Sequence, residues 1–208
     1  MEEFAVRSYR DRVLWGPFQP ISESELESVE GEIGRALPKA YRDFLLAAHG
    51  GTLPYAIRLP PGDPEGELIQ FDSLTHVGGN WGLAKHWADF GSTFMAEHLP
   101  PDLLQVAEDG GGSALYLDLR PDSHGAVWAF VHALPAWTGS GRSNLGGQVA
   151  RSWESYLDML TIDEDYAREV WEEAGANTDP TWTAQVVDWL DSGLPGWRSC
   201  TWAGAAKR

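Results

Sequence analysis

The sequence predicts an α+β chain with extra helices at its C-terminal end, and three observations lead there. Capped, amphipathic helical patterns occupy residues 21–49 and return after Ser152. Between them, Leu104–Glu108, Ser113–Leu119 and Ala126–His132 read as strands, rich in aliphatic and aromatic residues. The turns joining these strands are only a few residues long, which suits antiparallel pairing and leaves no room for parallel crossovers.

Taken in order, residues 1–20 form an arm with Glu2, Glu3 and Asp11 against Arg7, Arg10 and Arg12, closing at Gly16-Pro17 and Pro20. Val6, Tyr9 and Val13 fall at helical spacing, so a short helix is expected there. Ser22-Glu23-Ser24-Glu25 is a capping box, with Ser22 accepting from the Glu25 amide and Glu25 reaching back. Leu26, Val29 and Ile33 then form one apolar stripe that ends at Gly34 or Leu37-Pro38. Glu23, Glu25, Glu27, Glu30 and Glu32 crowd the remaining surface and imply a strongly negative solvent face.

A second helix opens at Pro38, carries Tyr41, Phe44, Leu45 and Ala48, and stops at Gly50-Gly51. Its His49 is expected to interact, partly charged, with the last helical carbonyls. Thr52–Leu59 and Glu67–Phe71 read as strands on either side of Pro60-Pro61-Gly62-Asp63-Pro64. One helix is expected between Trp81 and Leu99, after the break at Gly78-Gly79-Asn80. Beyond the three central strands, Gly139–Gly147 reads as a flexible loop. Trp153, Tyr156, Leu157 and Leu160 then mark a helix. Residues 163–208 hold four basic and nine acidic residues and five of the eleven tryptophans. Tyr166, Val170, Trp171 and Ala174 predict a helix closed by Gly175, and Asp179-Pro180 caps another with Trp182, Val186, Trp189 and Leu190. Trp171, Trp182 and Trp189 are thus placed to dock these helices onto the domain, whereas Trp197 and Trp202 follow no period and suit a contact surface.

Composition excludes several classes. A chain of 208 residues with 43% hydrophobic and 12% aromatic residues is not disordered. By surface scaling, about 70% of its unfolded surface disappears on folding. The net charge is −16. Spread over the folded surface, that is one net negative charge per roughly 600 Å². Such a field repels phosphate backbones and anionic lipid, so no nucleic-acid and no membrane partner is expected. Basic proteins would be steered toward it. Cys200 is the only cysteine, which rules out an intramolecular disulfide and a cysteine-based zinc cluster. The acidic N-terminus has no signal-peptide pattern, and no apolar run is long enough to span a membrane, so a cytoplasmic protein is expected.

No catalytic constellation emerges. His86 and His98 stand twelve apart with no H-E-x-x-H motif. Ser113 lacks the G-x-S-x-G frame, Cys200 has only Arg198 as a nearby charge, and Gly139-Ser140-Gly141 is half a dinucleotide fingerprint without its strand-to-helix context. Asp118 and Asp122 bracket a turn, as hairpin chemistry commonly requires. Neither a cofactor, nor a metal, nor an enzymatic activity is expected.

Four motifs nevertheless stand in a telling order. Leu37-Pro38-x-x-Tyr41-x-x-Phe44-Leu45 precedes a glycine pair. Val106-Ala107-Glu108-Asp109-Gly110-Gly111-Gly112 leads to Leu115-Tyr116-Leu117-Asp118-Leu119, then Gly125-Ala126-Val127-Trp128 runs toward His132. Ser152-Trp153-x-x-Tyr156-Leu157 closes the series. Over residues 21–162 this resembles the SUKH superfamily, which includes the yeast Smi/Knr regulators and many bacterial immunity proteins. His49 departs from the pattern, which usually has Asn there. The arm 1–20 and the Trp-rich extension 163–208 fall outside the resemblance.

The resemblance implies a mixed, largely antiparallel sheet flanked by helices, without family-wide catalytic residues. In function it implies an immunity protein that binds and neutralises a cognate toxin. The alternative is a non-catalytic interaction scaffold or regulator of the Smi/Knr type. Acids at turns and strand ends are the candidate contacts for a basic toxin surface: Asp72, Glu108, Asp109, Asp118 and Asp122. Trp81 and Trp137 are candidate aromatic anchors, joined by Trp197 and Trp202 in the extension.

Overall fold

The computed structural model describes residues 5–134 and 143–207. It has the expected α+β architecture, and every strand pairing among the described residues is antiparallel. The centre is a five-stranded sheet in sequence order: β5 (Ser73–Leu74), β6 (Leu103–Glu108), β7 (Ala114–Asp118), β8 (Val127–Leu134) and β9 (Ser143–Ala150). Helices α1 (Glu23–Ile33), α2 (Lys39–Ala48) and α4 (Trp153–Met159) share one continuous core with its inner face. There Leu26, Val29, Tyr41, Phe44, Trp153 and Leu157 join Leu104, Leu115, Leu117, Val127 and Ala129.

The N-terminal arm corrects the helical expectation. It is a hairpin of β1 (Val6–Tyr9) and β2 (Arg12–Trp15), turned by Arg10 and Asp11 at φ 47° and 60°. Two successive positive φ values define the turn whose twist matches paired strands, and Asp tolerates that conformation. Three residues at helical spacing were too few to outweigh it. Trp15 pairs with Thr52, which also bridges to Ser73, so the hairpin extends the central sheet beyond β5. A separate two-stranded ribbon, β3 (Ala56–Leu59) with β4 (Glu67–Gln70), lies nearby in sequence.

Local signals set the helix ends as expected. Ser22 accepts from the Glu25 amide at 3.3 Å and donates its own amide to the Glu25 carboxylate at 2.8 Å. Gly34 takes φ 71° at the α1 C-cap, a conformation that a side chain would strain. The negative face of α1 is only partly offset from α2: the Arg42 guanidinium pairs with Glu23 and Glu30 and lies 3.9 Å from Glu27, one positive charge among five carboxylates.

Between Trp81 and Leu99 the chain breaks into α3 (Leu83–Asp89) and two short 3-10 turns, Phe90–Ser92 and Phe94–Glu97. The hydroxyls of Ser92 and Thr93 donate to the carbonyls of Asp89 and Phe90 at 2.7 Å, which diverts the backbone from a continuous helix. This segment covers the outer sheet face, where Phe90 and Leu99 join Leu103, Ala114, Tyr116 and Phe130. The described part of the expected 139–147 loop is strand, because it pairs antiparallel with β8 from Ser143 onward, and the same segment crosses over it. A Cβ at Gly146 would stand 2.9 Å from the His98 carbonyl oxygen, so glycine here admits a close approach inside a strand.

The chain ends in α5 (Glu164–Ala176) and α6 (Pro180–Gly193), capped by Asp163 and Asp179. Helix α5 continues through Gly175 and ends at Asn177. Both helices contribute to the main core through Val170, Trp171, Val186, Trp189 and Leu190. Arg12 donates to the Ser192 and Asp158 carbonyls at 3.2 and 3.3 Å, and the Tyr55 hydroxyl links the Val13 amide to Ser192. The N-terminal hairpin is thereby tied to the far end of the chain.

Candidate functional site

The structure separates the expected contact residues by place and by exposure. The register Ser73↔Glu108 brings Asp72 beside Glu108 and Asp109 at one end of the sheet. Asp72 is half-buried; the other two are exposed. Asp109 accepts from the Gly111 and Ser113 amides at 2.7 and 2.9 Å, so one carboxylate oxygen shapes the β6–β7 turn. Trp81 is 75% exposed on the loop before α3. Asp122 is exposed at the opposite sheet end. Trp137 lies outside the described residues.

Three expectations of surface exposure are corrected. Asp118 is wholly buried. Its carboxylate accepts from the Arg120 amide and guanidinium, the Ser123 hydroxyl and the Trp128 indole N–H, at 2.6 to 3.2 Å. Burial by itself raises its pKa, but these hydrogen bonds and the guanidinium charge prevail and hold the carboxyl below the ordinary range. Trp197 and Trp202 are buried as well. They occupy short 3-10 turns, Trp197–Ser199 and Thr201–Lys207, and so escape helical periodicity while still packing. The Trp197 ring centroid lies 4.9 Å from that of Trp171 and 6.1 Å from that of Trp202. Their indole N–H groups donate to Asp191 and Glu164 at 2.8 and 3.1 Å. Both pin the chain end onto α5 and α6.

Two surface cavities lie beside residues of interest. One, of about 550 Å³, is lined by Gln19, Glu25, Ser28, His49, His76 and neighbouring residues. Here too an expectation changes: His49 is buried rather than interacting as a cation with helix carbonyls. Its Nε2 accepts from the Val77 amide at 3.0 Å, which leaves the Nδ1 proton for the Gln19 carbonyl at 3.3 Å. Burial lowers its pKa. Neutral in the fold and freely titrating when unfolded, His49 contributes stability that is present above pH about 6.5 and lost as pH falls through its depressed folded value. Urea midpoints measured between pH 7 and 5 should decline in the wild type and decline less in His49→Asn, since Asn keeps one donor and one acceptor without titrating.

The second cavity, of about 570 Å³, lies where β2 meets α5 and α6. Trp15, Tyr166 and Trp182 supply aromatic walls, and Glu169, Glu173 and Asp179 supply carboxylates. Asp179 is engaged as the α6 cap, accepting from the Thr181 amide at 2.8 Å. Desolvation, followed by the nearby charges of Asp72, Glu173 and Glu169, raises the Tyr166 hydroxyl pKa. Asp72, expected from its place beside a strand, is thus part of this negative neighbourhood. The other residues were not singled out in the sequence as site residues. The one available signal was Tyr166, Glu169 and Glu173 at i, i+3 and i+7 along a helix face, and Trp15 joins them only through the docked hairpin.

A model of the SMI1/KNR4 family (SUKH-1) matches residues 20–159. The chain belongs to this family. The match spans α1 through α4 and includes the central sheet, so the SUKH domain is the part whose motifs were legible in sequence. The second cavity is different: Trp15 and every lining residue from α5 to α6 stand outside the SUKH-1 match. No curated protein and no solved structure matches the chain. Among the described residues, no group of three or more His, Cys, Asp or Glu side chains is placed to hold a metal ion, and no helix is long and apolar enough to cross a membrane. The Cys200 thiol has a pKa raised by desolvation and by Glu164, the opposite of an activated nucleophile.

Proposed function

We propose that this SUKH-1 protein is an immunity protein that binds a cognate bacterial toxin domain and neutralises it by covering its active-site surface. Family membership carries the reading. The charge of −16 supports a mechanism for it. A toxin that acts on nucleic acid needs a basic cleft for the phosphates, and an acidic protein both finds and fills such a cleft. Asp72, Glu108 and Asp109, gathered at one sheet end, would meet the basic surface, with Trp81 as an aromatic anchor and Asp122, at the opposite end, adding only to the overall field. The neutralisation is stoichiometric binding, with no chemical step by this chain.

Affinity capture from the source organism's lysate, at low and at high salt, tests the reading. The expected result is one stoichiometric partner whose isolated toxin domain is inhibited by the purified chain. Several intracellular partners in varying amounts would instead identify a scaffold or regulator of the Smi/Knr type. The electrostatic mechanism has its own test. Association measured by stopped flow should slow by roughly tenfold or more from low to physiological salt, because steering is screened over about 8–10 Å. Neutralising the four acids to Asn or Gln takes the net charge from −16 to −12 and should lessen that salt dependence without abolishing it. Salt-insensitive association, unchanged in the neutralised variant, would reject steering while leaving immunity intact.

A further inference from the structure

The cavity between β2, α5 and α6 combines two features that point to one kind of ligand. Its walls are aromatic and held from behind. Trp189, fully buried, lies 5.0 Å from Trp15 and 5.7 Å from Tyr166 between ring centroids, and Trp15 lies 5.5 Å from Trp182. These contacts preorganise the aromatic surfaces, so a ligand would not have to order them. The volume of about 570 Å³ falls within the ordinary range of ligand pockets.

The second feature is charge. Glu169 and Glu173 stand one turn apart on the same side of α5, an arrangement that mutually repels. Both are exposed, and among the described residues neither forms an ion pair. Three other acids of the extension are engaged, Asp165 with Arg168, Asp191 with Arg198, and Glu164 with Trp202, whereas Glu172 and Asp188 share the lack of an ion pair among the described residues but do not line this cavity. Aromatic rings and carboxylates around one cavity both favour positive charge, so an anion is repelled there and a neutral group forfeits the electrostatic gain. A flat cation gains from both. Guanidinium fits better than ammonium, because it stacks on rings and offers parallel N–H donors to carboxylates.

We infer that this cavity receives an arginine side chain of the protein partner, stacked against the half-buried Tyr166 and Trp182 over the buried Trp15 and hydrogen-bonded to Glu169 and Glu173. The inference rests on the reading that the chain works by binding a protein, and it places a specificity contact in the extension that the SUKH-1 match does not reach.

The test uses the full chain and no toxin. A capped Gly-Arg-Gly peptide amide is titrated in while the indole N–H resonances are followed by NMR, with Gly-citrulline-Gly as the uncharged counterpart. Saturable shifts at Trp15 and Trp182 with the arginine peptide, and none with citrulline, are expected. The double variant Glu169→Gln/Glu173→Gln, with its other resonances unmoved, should bind about tenfold more weakly, the equivalent of one charge-assisted hydrogen bond. Equal binding of citrulline, no saturable shift at these two indoles, or unchanged affinity in the double variant would overturn the inference. Failure here leaves the capture of a toxin unaffected, and failure to capture a toxin leaves the peptide result unaffected, so the two readings fall separately.

Discussion

Asp118→Ala is expected to destabilise the chain by about 3 kcal/mol, read as a fall in the urea midpoint at unchanged slope. The carboxylate is completely buried and is the common acceptor for Arg120, Ser123 and Trp128. Removing it leaves those donors facing a cavity, and breaking buried charge pairs costs about 3–5 kcal/mol in general. Arg120 keeps the figure at the low end, because its side chain is 31% exposed and can turn toward water. Asp118→Asn separates shape from charge. It should recover part of the loss while also changing the acid response.

Because the folded pKa of Asp118 is depressed, its contribution is present above the unfolded value near 3.9 and is lost as pH falls through the folded value. The wild type should therefore lose stability below about pH 4 more steeply than Asp118→Asn. Identical acid profiles would mean that the carboxylate holds the β7–β8 turn by geometry alone.

Trp189→Ala should cost about 3–5 kcal/mol, the range for truncating a fully buried large aromatic residue. Its ring supports Trp15 and Tyr166, and its indole N–H donates to the Pro54 carbonyl at 3.0 Å. The loss should not be confined to the extension. The main buried cluster takes in residues from Val13 to Trp202 and stands apart from the outer-face group around Phe130, so loosening α6 should expose the hairpin and the Leu53–Ile57 segment too. Hydrogen exchange should show α5, α6 and β2 deprotected together. Trp189→Phe keeps most of the apolar contact and removes the donor, and should cost about 1–3 kcal/mol by leaving a buried carbonyl unpaired. If Trp189→Ala melted the extension alone, with the midpoint of the rest unchanged, residues 163–208 would be an appendage rather than part of the core.

The difference between what could be read and what had to be seen follows from the range of the interactions. Ser22 and Glu25, or Asp179 and Pro180, satisfy the first amides of their own helices within a few residues, so sequence spacing carries their full meaning. The strands from Leu103 to Leu134 were legible for the same reason, since short turns leave antiparallel neighbours little choice. Asp118 was correctly read as a turn residue, yet its burial depends on Trp128, ten positions on and across the hairpin.

Sequence alone therefore determined the α+β class, the order of its main helices and central strands, the family motifs and the acidic surface. Tertiary structure decided that the arm is a hairpin, that Trp197 and Trp202 face inward, and that Gly146 sits in a strand beneath the His98 carbonyl. It also assembled the aromatic cavity, where Trp15 meets Tyr166 and Trp182 from the other end of the chain. Caps and periods are set by hydrogen bonds and side-chain spacing within a few residues. Burial and juxtaposition are set by which surfaces exclude water together, and that depends on residues far apart in sequence.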